Sequence, residues 1–119
     1  MYDQPEKIVN LSNIVELYDH DEELLNEFYE TAIESFSKFK KEFRDHLLQR
    51  DLNNLRRVGH RIKPVAQTLG VEVVNVEYKK AKKYLKQEVS DEMLKKSVHN
   101  MESICDKIIN EFKNELNGF

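Results

Sequence analysis

Between Leu24 and Leu47 the apolar residues fall at Leu24, Leu25, Phe28, Tyr29, Ala32, Ile33, Phe36, Phe39, Phe43 and Leu47. This three-and-four spacing holds for roughly seven turns of helix. A strand alternates its faces every second residue and cannot place such a set on one side. One long helix is therefore predicted from the Asp21 N-cap to about Gln49. Its other face carries Glu, Lys and Ser. The aromatics Phe28, Phe36, Phe39 and Phe43 share their stripe with aliphatic residues, so they read as core rather than as a ligand box. A helix of this length with one apolar face has to be covered, and the rest of the chain must supply the cover.

It supplies more helices. Residues 1–10 read as a lead-in. Leu11, Ile14, Val15 and Tyr18 then repeat at helical spacing, with Asn10 or Ser12 as a cap, and predict a short helix before His20-Asp21. Arg50-Asp51 is a turn with Asp51 capping the next helix, which ends at Gly70, a residue suited to the left-handed C-cap. Glu72 opens a helix with Val74, Tyr78, Ala81 and Leu85 inward and Lys79, Lys80, Lys82, Lys83 and Lys86 outward. After a polar break at 88–91, with Ser90 or Asp91 as cap, a last helix carries Met93 or Leu94, Val98, Met101, Ile104, Cys105, Ile108, Phe112 and Leu116, and Gly118 closes it. Short links make neighbouring helices antiparallel. The predicted fold class is all-α: an antiparallel up-down four-helix bundle over residues 11–117, with a short additional N-terminal helix.

Composition narrows the function. The 119 residues fit one domain with a single core. The net charge of −3 argues against general nucleic-acid binding. The longest apolar runs fall well short of the roughly 20 residues a membrane span needs. The opening MYDQPEK lacks the basic-then-apolar order of a secretory signal. The one cysteine, Cys105, lies in an apolar rhythm and reads as a buried thiol in a reducing compartment, so the cytoplasm is expected.

The chemistry concentrates in Asn53 to Gly70. At about 100° per residue, Leu55, Val58, Ile62, Val65, Ala66 and Leu69 share one side of a helix and His60 points to the opposite pole. Arg56, Lys63 and Gln67 fall within about 60° of it, and Arg57 and Arg61 flank that line. No Asp or Glu occurs from Leu52 through Val71. An outward imidazole ringed by cations suits an encounter with a phosphoryl group. The other histidines, His20, His46 and His99, lack such neighbours and read as incidental surface residues. The Lys79–Lys86 run is a solvated face, or a source of positive potential beside the ridge.

The order His60-x-Ile62-Lys63, with Leu69-Gly70 ten residues past the histidine, resembles the histidine-containing phosphotransfer (HPt) domain. The acidic turn 19–23, the long Leu/Phe helix and the Asp51-x3-Leu55 lead-in extend the resemblance over most of the chain. It implies a carrier in a two-component phosphorelay. Such a domain accepts a phosphoryl group from an aspartyl phosphate on one receiver domain and passes it to another. Carried over, His60 is the phosphoryl carrier, Lys63 the stabilising cation and Gly70 the helix-terminating position. Gln67 can add a hydrogen bond to the phosphoryl group. Arg56, Arg57, Arg61 and Pro64 form the partner-binding surface. The implied partners are response-regulator receivers and a hybrid sensor histidine kinase. The chain is expected to act as a monomer, with no ATP site and no metal or cofactor of its own; Mg²⁺ belongs to the receiver, because this ridge has no carboxylate cluster.

Pro64 departs from the pattern, which has Gly or another small residue after the lysine. Proline there cannot donate to the His60 carbonyl, and a bend after the histidine is expected. Lys79 and Lys82 stand where some relatives use a carboxylate to orient the histidine. The rival reading is a non-catalytic helical module that binds receivers without phosphotransfer. Di-metal carboxylate bundles are excluded by the lack of a Glu three residues before any histidine. Cofactor loops of the G-x-G-x-x-G and P-loop types are absent.

Overall fold

The structure is a computed structural model that describes residues 8–116. The greater part of the lead-in and the closing Gly118 lie outside the described residues. Five helices follow one another: α1 (Leu11–Leu17), α2 (Glu22–Leu48), α3 (Leu52–Leu69), α4 (Glu72–Lys86) and α5 (Asp91–Leu116). No strand occurs among the described residues. They pack as a compact all-helical unit in which α2 meets α3 and α5, α3 meets α4, α4 meets α5, and α1 rests on α3.

Local chemistry fixes the helix ends. Asp21 accepts from the Leu24 amide at 3.1 Å and Asp51 from the Asn54 amide at 3.1 Å, each satisfying a donor that the first turn leaves open. Asn10 occupies the N-cap position of α1 without a side-chain bond. Ser90 caps α5 by accepting from the Met93 amide at 3.3 Å. Gly70 ends α3 at φ 70°, in the left-handed region where glycine carries no Cβ penalty. Arg50 takes the same region at φ 56° despite its side chain. Its guanidinium then reaches the Val89 carbonyl at 2.7 Å and the Asp91 carboxylate at 2.8 Å, tying the α2–α3 link to the α4–α5 link.

The predicted stripes become the core. Phe36, Phe43 and Leu47 of α2, Leu55, Ala66 and Leu69 of α3, and Met101, Ile108 and Phe112 of α5 are fully enclosed. Tyr18, Phe28, Tyr29 and Phe112 form a ring-to-ring chain with centroids 5.7–6.2 Å apart. Such pairs add about 0.5–1.5 kcal/mol each beyond the area they bury. Leu24 departs from its predicted stripe and is 43% exposed, and of the alternatives at the start of α5, Leu94 is buried and Met93 is not.

α4 holds two surprises. Glu77 and Asn75 are buried although both are polar. Glu77 accepts from the Ser97 hydroxyl of α5 at 2.7 Å, so its burial is compensated. A second interior carboxylate, Glu111, accepts from the Ile8 amide at 3.0 Å and the Val9 amide at 3.1 Å. With the Asn10 amide donating to the Leu69 carbonyl at 2.9 Å, this fastens the segment before α1 across α5 and the end of α3. Among the described residues, no helix is long and apolar enough to cross a membrane.

Candidate functional site

α3 sets the site because its phase is fixed from three sides. Leu55, Val58, Ile62, Ala66 and Leu69 are buried, which turns His60 outward, and the ring is exposed. Arg56, Arg57, Arg61, Lys63, Pro64 and Gln67 are exposed as well. The helix runs unbroken from Leu52 to Leu69 through Pro64, so the expected bend does not interrupt it. Pro64 still has no amide hydrogen, and the His60 carbonyl lacks its usual donor four residues on. One turn later the Thr68 hydroxyl donates to the Pro64 carbonyl at 3.0 Å.

His60 stands at the edge of a cleft of about 200 Å³ between α3 and α4, lined on the α3 side by Gly59, Lys63 and Gln67. From α4 come Glu72, Asn75, Tyr78, Lys79 and Lys82. Two of the three residues read as phosphoryl-contacting, Lys63 and Gln67, thus share one recess with the third, His60. The four predicted partner-binding residues spread more widely. Arg61 pairs with Glu42 of α2 at 2.8 Å, on a different flank from the cleft. Pro64 borders a second, shallow groove with Phe28, Val65, Thr68 and Leu69. The Arg56 carbonyl accepts from the Tyr78 hydroxyl at 3.4 Å.

The cleft is strongly positive. Lys82 sits 4.7 Å from the centre of the Tyr78 ring, a cation over a π face. Partial burial, and then its neighbours Lys86, Arg56, Lys63 and Lys79, hold its ammonium pKa below the ordinary lysine value. The direction reflects burial first and like charge around the cleft second. Among the described residues, Glu72 is the one acid on its wall.

Two site residues escaped the sequence reading. Gly59, beside the histidine, is buried, and a Cβ there would overlap Cζ and Cε1 of Tyr78. Its signal was available: it shares the α4-facing edge of the apolar stripe with Ala66, seven residues on, and small residues on one edge mark a close helix approach. Asn75 is 3% exposed, and neither its amide nitrogen nor its amide oxygen has a hydrogen-bond partner among the described residues. It lies just outside the inner stripe of α4, where periodicity alone predicts exposure. Among the described residues no group of three or more His, Cys, Asp or Glu side chains is arranged to hold a metal.

No family model matches the chain, and comparison with curated proteins and with solved structures finds no significant match.

Proposed function

We propose that the protein is a phosphoryl carrier of the relay type, built as an antiparallel up-down four-helix bundle with a short helix before it. More particularly, it is proposed to act as a histidine-containing phosphotransfer domain. The observation that carries this reading is the exposed His60 at a cationic cleft it shares with Lys63 and Gln67.

The chemistry follows from those groups. A neutral imidazole carries a lone pair on one ring nitrogen. That nitrogen attacks the phosphorus of a receiver's aspartyl phosphate. The N–P bond forms, the acyl O–P bond breaks, and the aspartate leaves as carboxylate. Return to a second receiver reverses these events. Such transfer depends on in-line approach and neutralised oxygens, which Lys63 and a Gln67 amide can provide. The receiver brings its own Mg²⁺. Arg56, Arg57, Arg61 and Pro64 would meet the receiver, whose acidic pocket a positive ridge attracts. The donor would be a hybrid sensor kinase, and the relay would run in the cytoplasm.

Incubation with a ³²P-labelled receiver domain tests the proposal. Label that moves to this chain, is acid-labile and base-stable, and is absent in His60→Gln supports it. Receiver binding that survives His60→Gln, with no label ever transferred, would replace it with a non-covalent receiver-binding module.

A further inference from the structure

We propose that the α3–α4 cleft is a binding site for a phosphate-class oxyanion, with Asn75 as its buried ligand. The anion has two sources: the phosphoryl group carried on His60, a form that rests on the function proposed above, or free inorganic phosphate, a form that does not.

The argument starts from a group the fold leaves unexplained. Asn75 is 97% buried by complement of its 3% exposure, yet both polar atoms of its carboxamide lack partners among the described residues. Buried amides almost always find partners, because an unmade bond costs the full desolvation of the group. Glu77, two positions on and also buried, illustrates the rule through Ser97. Asn75 differs in lining a recess of about 200 Å³. At about 30 Å³ per liquid water, that recess has room for a tetrahedral anion and some of its hydration.

Charge selects the class of ligand. Among the described residues, Lys63, Lys79 and Lys82 face the recess against the single carboxylate of Glu72. A cation would meet repulsion there, and an apolar molecule would leave the ammonium groups and the carboxamide unsatisfied. An oxyanion accepts from the ammonium groups and from the amide nitrogen of the carboxamide, while the amide oxygen accepts from a lysine ammonium or from the hydroxyl of a hydrogen phosphate. The amide nitrogen of Asn75 and that of Gln67 are donors, and the lysines neutralise the charge. Lys82, held over the Tyr78 ring, is partly ordered before any ligand arrives.

The test follows the Asn75 side-chain amide by ¹⁵N NMR, with Asn75→Leu identifying its signal. In one arm unmodified protein is titrated with inorganic phosphate, with chloride at equal ionic strength as control. In the other, His60 is modified with phosphoramidate, which forms the N–P bond to the imidazole and loses ammonia. A saturable shift of the Asn75 amide with free phosphate, with the affinity read at the Gln67 side-chain amide of the same cleft weakened about tenfold in Asn75→Leu, identifies a free-anion site; tenfold is the share of one hydrogen bond to a charged group. A shift only on phosphorylation, with phosphohistidine decaying about tenfold faster in Asn75→Leu, identifies the carried group. An Asn75 signal unmoved in both arms overturns the proposal, even if His60 accepts phosphate and the carrier function stands. Failure of His60 to be modified, beside a saturable phosphate shift, removes the carrier function and leaves the anion site. Asn75→Leu that changes only thermal stability would show a packing role and also overturn it. Asn75→Asp, of nearly the same shape, supplies an independent check, since its charge should abolish the phosphate shift read at the Gln67 side-chain amide.

Discussion

Gly59 and Tyr78 touch ring to backbone: the tyrosine ring of α4 occupies the space that any side chain at position 59 would need. Gly59→Ala should therefore destabilise the fold. Alanine gains about 1 kcal/mol of helix propensity, but forcing the ring aside costs typically 1–3 kcal/mol or more, so the clash should prevail. Urea denaturation measures the net loss. Adding Tyr78→Ala should recover part of it, because the obstacle is then gone, and an additive double mutant would contradict the contact.

Lys63 and Ile62 are adjacent in sequence and opposite in consequence. Lys63→Ala should leave helicity and melting nearly unchanged, since the side chain is exposed, while phosphotransfer to His60 falls about 10- to 100-fold, the worth of one charge-assisted bond. Ile62→Asp places a charge at a site only 4% exposed and should unfold much of the population. Circular dichroism beside a label-transfer assay separates the two. A large loss of helicity in Lys63→Ala would contradict the phase of α3.

Cys105 is fully buried, and burial pushes its thiol up to about 12. At pH 8 a thiol reagent should therefore label the folded protein far more slowly than the urea-unfolded chain, whose thiol titrates near 8.5. The stability consequence has a definite sign. Below the unfolded pKa the thiol is neutral in both states and contributes no pH dependence. Above it only the unfolded chain ionises, so this group lowers stability as pH rises from about 8.5 toward 12. Cys105→Ala should remove that part of the alkaline slope.

Asp51 illustrates the opposite sign. The bonds from the backbone and then the side chain of Asn54 hold its carboxyl below the ordinary carboxylate value. Its stabilisation of α3 is therefore present above an unfolded pKa of about 3.9 and is lost as pH falls through the lower folded value. Asp51→Asn keeps the capping shape without the titration. The gap between its melting temperature and the wild type's should narrow between pH 5 and pH 2.

Most of the architecture was readable because helix stripes and caps are local signals. Asp21, Asp51 and Gly70 marked the ends of α2 and α3 by chemistry that acts within one turn. The outward phase of His60 followed from its own helix alone. Asn75 and Glu77 were not readable, because their burial depends on how closely α3 and α5 approach α4. That distance is set by residues elsewhere, Gly59 and Ser97 among them. Leu24 failed for a different reason: it lies about 100° around the helix from Leu25, which is buried at the same end, and so falls outside the width of the stripe that the other helices cover. Pairing of Arg61 with Glu42 likewise required knowing which helix lay alongside.

Pro64 has a mechanical consequence. Its ring leaves α3 one rung short between position 60 and position 64, while Tyr78 braces the helix on one side of that gap and the Asn10–Leu69 bond anchors it on the other. Compliance in the rod is thus concentrated in the turn that bears the imidazole. The His60 side chain can tilt outward while the hydrocarbon interior beneath it stays seated.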